Sequence, residues 1–594
     1  MTPIFIGGSY GVLHWAAGSY GVIICGSLGD EALNMYRSQM FLAEYLAGAG
    51  FPTLRIDYYG TGNSAGETGR FDDWVASITN AVRWLQTQCH VRRIALCGFR
   101  IGAALAASAA CASVDIDALI MLSPIANGRR FLREMILAEQ TNADIWKSRS
   151  SIDDGQWFEA HGMRIDGASR DELGRLDIAK LQLPPGIRLL LLDASGAAKS
   201  HDLVKQLSKQ GFDITYEIID GLDSMLRESH ESEIPRAAVL RTSEWLGDAG
   251  CTRNAYIAEP LATPILELGI ARETAVQLGP DEQLAGIFTE PTTRDDSAPV
   301  LLVVNTGANP CRGNSRGHVA LARWLAECGI ACLRIDGAGI GDSAPESGIH
   351  GQPYSVQGSE DVTAGVDFLA AHCRGPIIVY GVCSGAYHAF HAALDDARIK
   401  GLILVNMQKF IWDGNEALTV VQQTTLRTTR FYLRNLSCRQ VWRRLATGRI
   451  NVSGITHVLA GRALRQSIAA LDPLITRLHG ETRIGRVRRQ VRELAARPVP
   501  ILYALSGNDP GLDEVAEYFG LHGRGLRRYG NLTFEVIEQA DHTLSANWSR
   551  NRLQQSIGLY LQRHFSAVSH VTGAYSHRLA KTRHPSSMLA GICR

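Results

Sequence analysis

A thiol, an imidazole and a carboxylate can together carry out covalent acyl transfer, and this chain offers one such set: Cys383, Asp509 and His542. In that chemistry a sulfur attacks a carbonyl carbon, a histidine takes and returns the proton, and a carboxylate holds the histidine in the working tautomer. Cys383 is the centre of Gly381-Val382-Cys383-Ser384-Gly385, which follows the apolar run Ile377–Tyr380 and opens into a stretch rich in small residues. A strand, a Gly-x-x-x-Gly turn and a helix put the central residue on a strained turn with its side chain exposed. The positive end of the helix then lowers the thiol pKa. The developing oxyanion would be met by the N–H of Ser384 and by the loop after the first core strand, Asn305-Thr306-Gly307. Ser384 does not substitute for Cys383, because one residue past the apex its side chain leaves the turn. The competing reading is an inert buried thiol at Cys383.

The elements that must position these residues occur twice. Residues 43–67 end in Leu-Arg-Ile-Asp and a Gly-rich loop, and residues 322–346 do the same. Residues 92–106 match 375–389, both apolar runs that end in Gly-x-x-x-Gly, and 189–196 match 501–507. Finally 216–226 match 534–544. The offset is 279 from Asp57 to Asp336, 283 from Arg100 to Cys383 and 311 at the later strands, so the second copy carries a 28-residue insertion after its turn. In each copy short apolar strands alternate with helical stretches, which predicts an α/β fold with a mostly parallel, doubly wound sheet. At 594 residues the chain is long enough for two such cores. The expected division is a first domain at 1–248, a second at 262–565, and a mobile basic tail at 566–594.

The turn around Cys383, Asp509 after a late strand and His542 after the last one resemble the α/β-hydrolase superfamily in kind and in order. The resemblance covers nearly the whole chain and implies two tandem α/β-hydrolase folds, the second with a larger helical cap. The Leu-Arg-Ile-Asp loops are similar to those of serine-aminopeptidase-like hydrolases and of hydrolases associated with exosortase and exopolysaccharide clusters. This chain departs at the nucleophile, where most of the superfamily has Ser; dienelactone hydrolase and some thioesterases use Cys. The 126 residues between Cys383 and Asp509 leave room for a cap.

The first copy has lost this machinery. Arg100 stands at its nucleophile position, Ala198 at the acid position and Ser224 at the base position. Arg cannot act as a nucleophile because it stays protonated, so the first copy reads as a pseudoenzyme domain. Two readings of Arg100 stand, an internal salt bridge, for instance to Asp57, and an anion-binding role beside the helix N-terminus. The domain is expected to pack on or complete the second site, or to form a homodimer.

Net charge is +1, but residues 409–497, the expected cap, hold 16 Arg and one Lys against two Asp and three Glu, a net of +12. This is either a solvated helical surface or a device for steering an anionic acyl donor, such as a coenzyme A or carrier-protein thioester or an acidic sugar polymer. No nucleic-acid motif accompanies the charge. The twelve cysteines form neither CxxC pairs nor a Cys/His cluster at zinc spacing, so no metal or cofactor is expected, and free thiols suit the cytoplasm. No run of about 18 apolar residues predicts a membrane span, and residues 1–15 lack the pattern of a secretory signal. The sequence thus points to a cytoplasmic thioesterase or esterase acting through a Cys383 thioester, with an acyltransferase or condensing enzyme as the alternative. A non-catalytic binding or scaffold protein is the reading from another class.

Overall fold

The apolar runs of both copies become buried strands, because β-branched and leucine side chains flanked by Gly and Pro fit a sheet covered on both faces. A computed structural model describes residues 1–113, 115–146, 148–149, 156–195, 200–248, 250, 263–343, 354–412 and 481–565. The first copy contains β1 (Thr2–Ile6), β2 (Ser9–His14), β3 (Tyr20–Cys25), β4 (Thr53–Ile56), β5 (Arg93–Phe99), β6 (Ile116–Leu122), β9 (Arg188–Ala194) and β10 (Ile214–Ile219). They form one eight-stranded sheet in the order β1-β2-β4-β3-β5-β6-β9-β10, and β7 (Trp157–Ala160) and β8 (Met163–Asp166) make a separate hairpin. Its helices are α1 (Glu31–Asn34), α2 (Tyr36–Gly48), α3 (Phe71–Gln88), α4 (Ile101–Ala112), α5 (Gly128–Trp146), α6 (Gly167–Arg175), α7 (His201–Lys209) and α8 (Arg236–Gly247).

The second sheet contains β11 (Ile265–Glu267), β12 (Ala271–Leu278), β13 (Leu284–Pro291), β14 (Val300–Val303), β15 (Cys332–Ile335), β16 (Ile377–Val382), β17 (Ile399–Val405), β18 (Ile501–Ser506) and β19 (Leu532–Ile537). Its order, β11-β12-β13-β15-β14-β16-β17-β18-β19, repeats the first with one extra edge strand. The strands from β15 to β19 pair in parallel, and the antiparallel strands stand at one edge. Flanking it are α9 (Gly317–Glu327), α10 (Val356–His372), α11 (Ser384–Asp395), α12 (Arg483–Ala496), α13 (Gly511–Phe519) and α14 (Asn547–His564). Each sheet separates two apolar layers, so each copy is a three-layer α/β unit, as the repeat predicts. The sheet order reverses between β14 and β16, which places the end of β16 at the crevice where such folds bind ligands.

The two units meet through their Leu-Arg-Ile-Asp loops. Arg55 pairs with Asp342 at 2.6 Å, and Arg334 donates to the Asn63 side chain at 2.7 Å. The same offset of 279 relates Arg55 to Arg334 and Asn63 to Asp342, so the contact is reciprocal. Arg334 also pairs with the fully buried Glu273 at 3.0 Å, as does Arg323 at 2.6 Å. Arg316 reaches the carbonyls of Gly60, Gly62 and Gly66. Tyr10 and Val12 pack with Ala275, Ile287 and Cys311 across the same junction.

Most of the expected basic cap, 413–480, lies outside the described residues, as do the tail at 566–594 and Ala198. The end of that segment is a core helix instead. α12 buries Ile484, Val487, Val491 and Leu494 against the sheet. Arg488 in it donates to the Tyr518 carbonyl, and Arg497, just past its end, to the carbonyls of Ala393 and Leu394 at the end of α11.

Candidate active site

Cys383 leaves β16 and starts α11 with φ 56° and ψ −116°, a conformation that costs a non-glycine residue about 1–3 kcal/mol. The flanking glycines make the turn possible: a Cβ on Gly381 would sit 2.2 Å from the Gly385 carbonyl carbon, and one on Gly385 would sit 2.5 Å from the Asn305 oxygen. Arg100 adopts nearly the same angles, φ 54° and ψ −120°. Its N–H donates to Leu122 as that of Cys383 donates to Val405, so the first copy keeps the turn without the thiol.

The ends of β18 and β19 bring the other two candidates together. Asp509 has no exposed surface, and its Oδ1 accepts from the Gly511 N–H at 2.8 Å. Its Oδ2 pairs with His542 Nδ1, which leaves Nε2 of that ring for Cys383. Burial alone would lower the His542 pKa, but the negative charges of Asp509 and of the Cys383 sulfur outweigh it and hold the imidazole well above its usual value. His542 is further held by Asn406, whose amide donates to its carbonyl at 2.6 Å, and by Gln408, 3.3 Å from Nδ1. Asn406 (φ 49°) exchanges hydrogen bonds with Ser506, and Ser506 donates to the Asp541 carbonyl at 2.7 Å, which joins the ends of β17, β18 and β19.

Around the sulfur, the Tyr354 hydroxyl stands 3.9 Å from Cys383 Sγ. Burial and the neighbouring sulfur keep this phenol protonated well above its ordinary pKa. Tyr354 stacks on Trp412 at 4.8 Å between centroids. Ser384 occupies the first position of α11, where a backbone N–H has no partner within its helix. Its hydroxyl accepts from the Gly307 N–H at 2.8 Å. Of the expected oxyanion donors, Gly307 is therefore engaged by Ser384, while Thr306 lies buried in the same loop. A cavity of about 920 Å³ opens beside Thr306 and His542 and runs between α9 and α14, walled by Leu321, Trp324, Val382 and Leu553.

In the first copy Arg100 is bound by two carboxylates, Glu31 at 3.1 Å and Glu134 at 2.6 Å. Its partner is not Asp57, which pairs with Arg312 of the second copy at 2.7 Å. Ser224 caps its own turn by donating to the Gly221 carbonyl. Sequence reasoning missed Tyr354, Asn406, Gln408 and, from the first copy, Trp146, whose ring stacks on His542. The repeat offset of 283 aligns Asn406 with Ser123, and both residues adopt positive φ.

Among the described residues no group of three or more His, Cys, Asp or Glu could hold a metal ion, and no helix is long and apolar enough to cross a membrane. No curated protein matches the chain. Solved structures similar to about half of it include a cold-adapted esterase from an Arctic intertidal metagenomic library, at 15% identity over 51% of this chain and 100% of that one, with a TM-score of 0.30. Others are Est1E from Butyrivibrio proteoclasticus with ferulic acid bound (16% identity, 42% and 98% covered, TM-score 0.31) and dienelactone hydrolase from Anabaena variabilis (11%, 50% and 99%, 0.30). The model of the serine aminopeptidase S33 family matches residues 29–173 and 313–510, more than half of the chain and parts of both repeats. Repeated sheets, repeated turns and this match agree: the chain belongs to the serine aminopeptidase (S33) family of α/β hydrolases.

Proposed function

We propose that the second domain is an acyl-transfer enzyme with Cys383 as nucleophile, His542 as acid and base, and Asp509 as the group that orients His542. The observation that carries this reading is the juxtaposition of a strained, glycine-flanked Cys383 with a buried His542–Asp509 pair. With the proton on His542, Sγ attacks the carbonyl carbon as a thiolate and the carbonyl electron pair moves to oxygen. The N–H groups of Ser384 and Thr306 are the donors best placed in sequence to receive it. Collapse breaks the bond to the leaving group, which takes the proton from His542 and leaves a thioester on Cys383. Water then gives its proton to His542 and its oxygen to the acyl carbon, and the carbon–sulfur bond breaks. The apolar walls of the 920 Å³ cavity suit an acyl group, and a coenzyme A or carrier-protein thioester is our preferred donor. The nine described cysteines are free thiols, which supports placing the chain in the cytoplasm.

A second reading is acyl transfer to an amine or hydroxyl. It is favoured by the aromatic rings of Tyr354, Trp412 and Trp146 around Cys383 and His542, since a thioester shielded from water survives until an acceptor arrives. The test is intact-mass analysis after incubation with acyl-coenzyme A and p-nitrophenyl esters of several chain lengths. One acyl group should appear on the wild type and none on Cys383→Ala. An adduct or full turnover in Cys383→Ala would overturn the proposal. Adding amines separates the two readings, because only a transferase yields amide faster than acid.

A further inference from the structure

The first domain has no nucleophile, yet its longest helix ends at the candidate site of the second. α5 delivers Trp146 onto His542, with ring centroids 5.4 Å apart and planes 18° from parallel. Trp146 is not part of its own domain's apolar core. The contact continues on either side of the ring. The Asn508 side chain, next to Asp509, donates to the Trp146 carbonyl at 2.7 Å. The Asn142 side chain donates to Asp541, next to His542, at 3.4 Å. The Arg149 N–H donates to the Gln539 carbonyl at 2.9 Å, and the Arg149 carbonyl accepts from Trp548 Nε1 at 3.0 Å. Glu159 of the first domain caps the start of α14, accepting from the Asn547 N–H at 2.6 Å and pairing with Arg550 at 3.3 Å. The loops next to both Asp509 and His542 are thus gripped by α5 and the residues just after it, while β7 holds the start of α14.

We propose that Trp146 is a positioning residue for His542, through which the first domain completes the second domain's site; this rests on reading Cys383, His542 and Asp509 as the working groups. The indole covers one face of the imidazole, so the ring cannot rotate away from Asp509 without first losing that stack. The same cover keeps water off the Nδ1–Oδ2 hydrogen bond, which a competing water would weaken. A flat aromatic surface does both, and a charged or small side chain does neither.

The experiment uses the full chain as wild type, Trp146→Ala and Trp146→Phe, with two readouts. The first is alkylation of Cys383 by iodoacetamide at pH 7, followed by peptide mass spectrometry. The second is the downfield proton resonance of the His542 Nδ1–H, assigned by its loss in His542→Ala, and its rate of exchange with water. Trp146→Ala should react roughly 10- to 100-fold more slowly, the scale of a misplaced catalytic group, and should lose the resonance to exchange. Trp146→Phe should restore most of both, which a purely structural role in the first domain would not require. Should Trp146→Ala melt below the assay temperature, Trp146→Leu, which keeps bulk without a flat ring, takes its place. Equal alkylation and equal exchange in wild type and Trp146→Ala would overturn the proposal while leaving the Cys383 reading intact. A wild-type Cys383 that ignores iodoacetamide would overturn that reading and this proposal with it.

Discussion

Replacing Asp509 by Asn separates charge from shape at the most enclosed point of the site. The side chain has no exposed surface, and it accepts from Gly511 through one oxygen and binds His542 Nδ1 through the other. An Asn keeps its oxygen on the Gly511 N–H and turns its NH₂ toward His542. The imidazole must then accept at Nδ1 and carry its proton on Nε2, the nitrogen left for Cys383. In that tautomer it cannot take the proton from the thiol. The same exchange in a Ser-His-Asp triad lowers kcat about 10⁴-fold, equivalent to about 5.5 kcal/mol of transition-state stabilisation, and a similar loss is expected here. The stability profile should change as well. His542 binds its proton more tightly in the folded than in the unfolded chain. Its pairing therefore stabilises fully below about pH 6.5 and is lost as pH rises through the higher folded pKa. The Asp509→Asn substitution should flatten that limb. The assay is the rate of Cys383 alkylation by iodoacetamide from pH 5 to 9, beside acyl-adduct formation. Wild-type alkylation should be faster than that of Asp509→Asn across the range, because only the charged carboxylate holds His542 in the tautomer that takes the thiol proton. Superimposable profiles in two folded proteins would refute the pairing argument.

Glu273→Ala leaves the fully buried Arg334 without its carboxylate and should cost about 3–5 kcal/mol. In a unit of that size this lowers the melting temperature of the second domain by roughly 6–20 °C, and a shift under 2 °C would contradict it. Arg100→Ala should destabilise the first domain by abandoning Glu31 and Glu134, measured by thermal melting, yet leave Cys383 alkylation unchanged. Gly385→Ala drives a Cβ into the Asn305 oxygen and should abolish alkylation selectivity for Cys383 or unfold the turn, read by peptide mapping and circular dichroism.

The repeat and the local turn chemistry made much of the fold legible. The two mostly parallel sheets, the turn at Cys383 and its vestige at Arg100 follow from period, glycine spacing and internal alignment, all of which are local signals. What stayed hidden depends on how two folded units dock. Asp57 looked free to serve Arg100, but Arg312 of the other copy claims it, and Arg100 finds Glu31 and Glu134 instead. Trp146 carries no chemistry by itself and gains a role only through the ring it faces. The arginines in and just after α12 read as one charged block, since composition cannot show that Arg488 and Arg497 are spent on carbonyls. Gly307 was expected to face the oxyanion, and the hydroxyl of Ser384, next to Cys383, holds its N–H.

The reciprocal loop contact also decides who can pair with whom. Arg55 takes its counter-charge from across the junction, at Asp342, whereas Arg334 takes its own from within, at Glu273, and meets the neutral Asn63. Arg55 is matched by a carboxylate only because the second copy has Asp342 where the first has Asn63. Were the first unit to dock on another first unit, Arg55 would face Asn63 and remain a bare buried cation. Two second units would set Asp342 against an Arg334 that already shares Glu273 with Arg323, a balance of charge different from that of the observed junction. The Asn63/Asp342 difference thus makes the junction favour a first unit against a second over two first units.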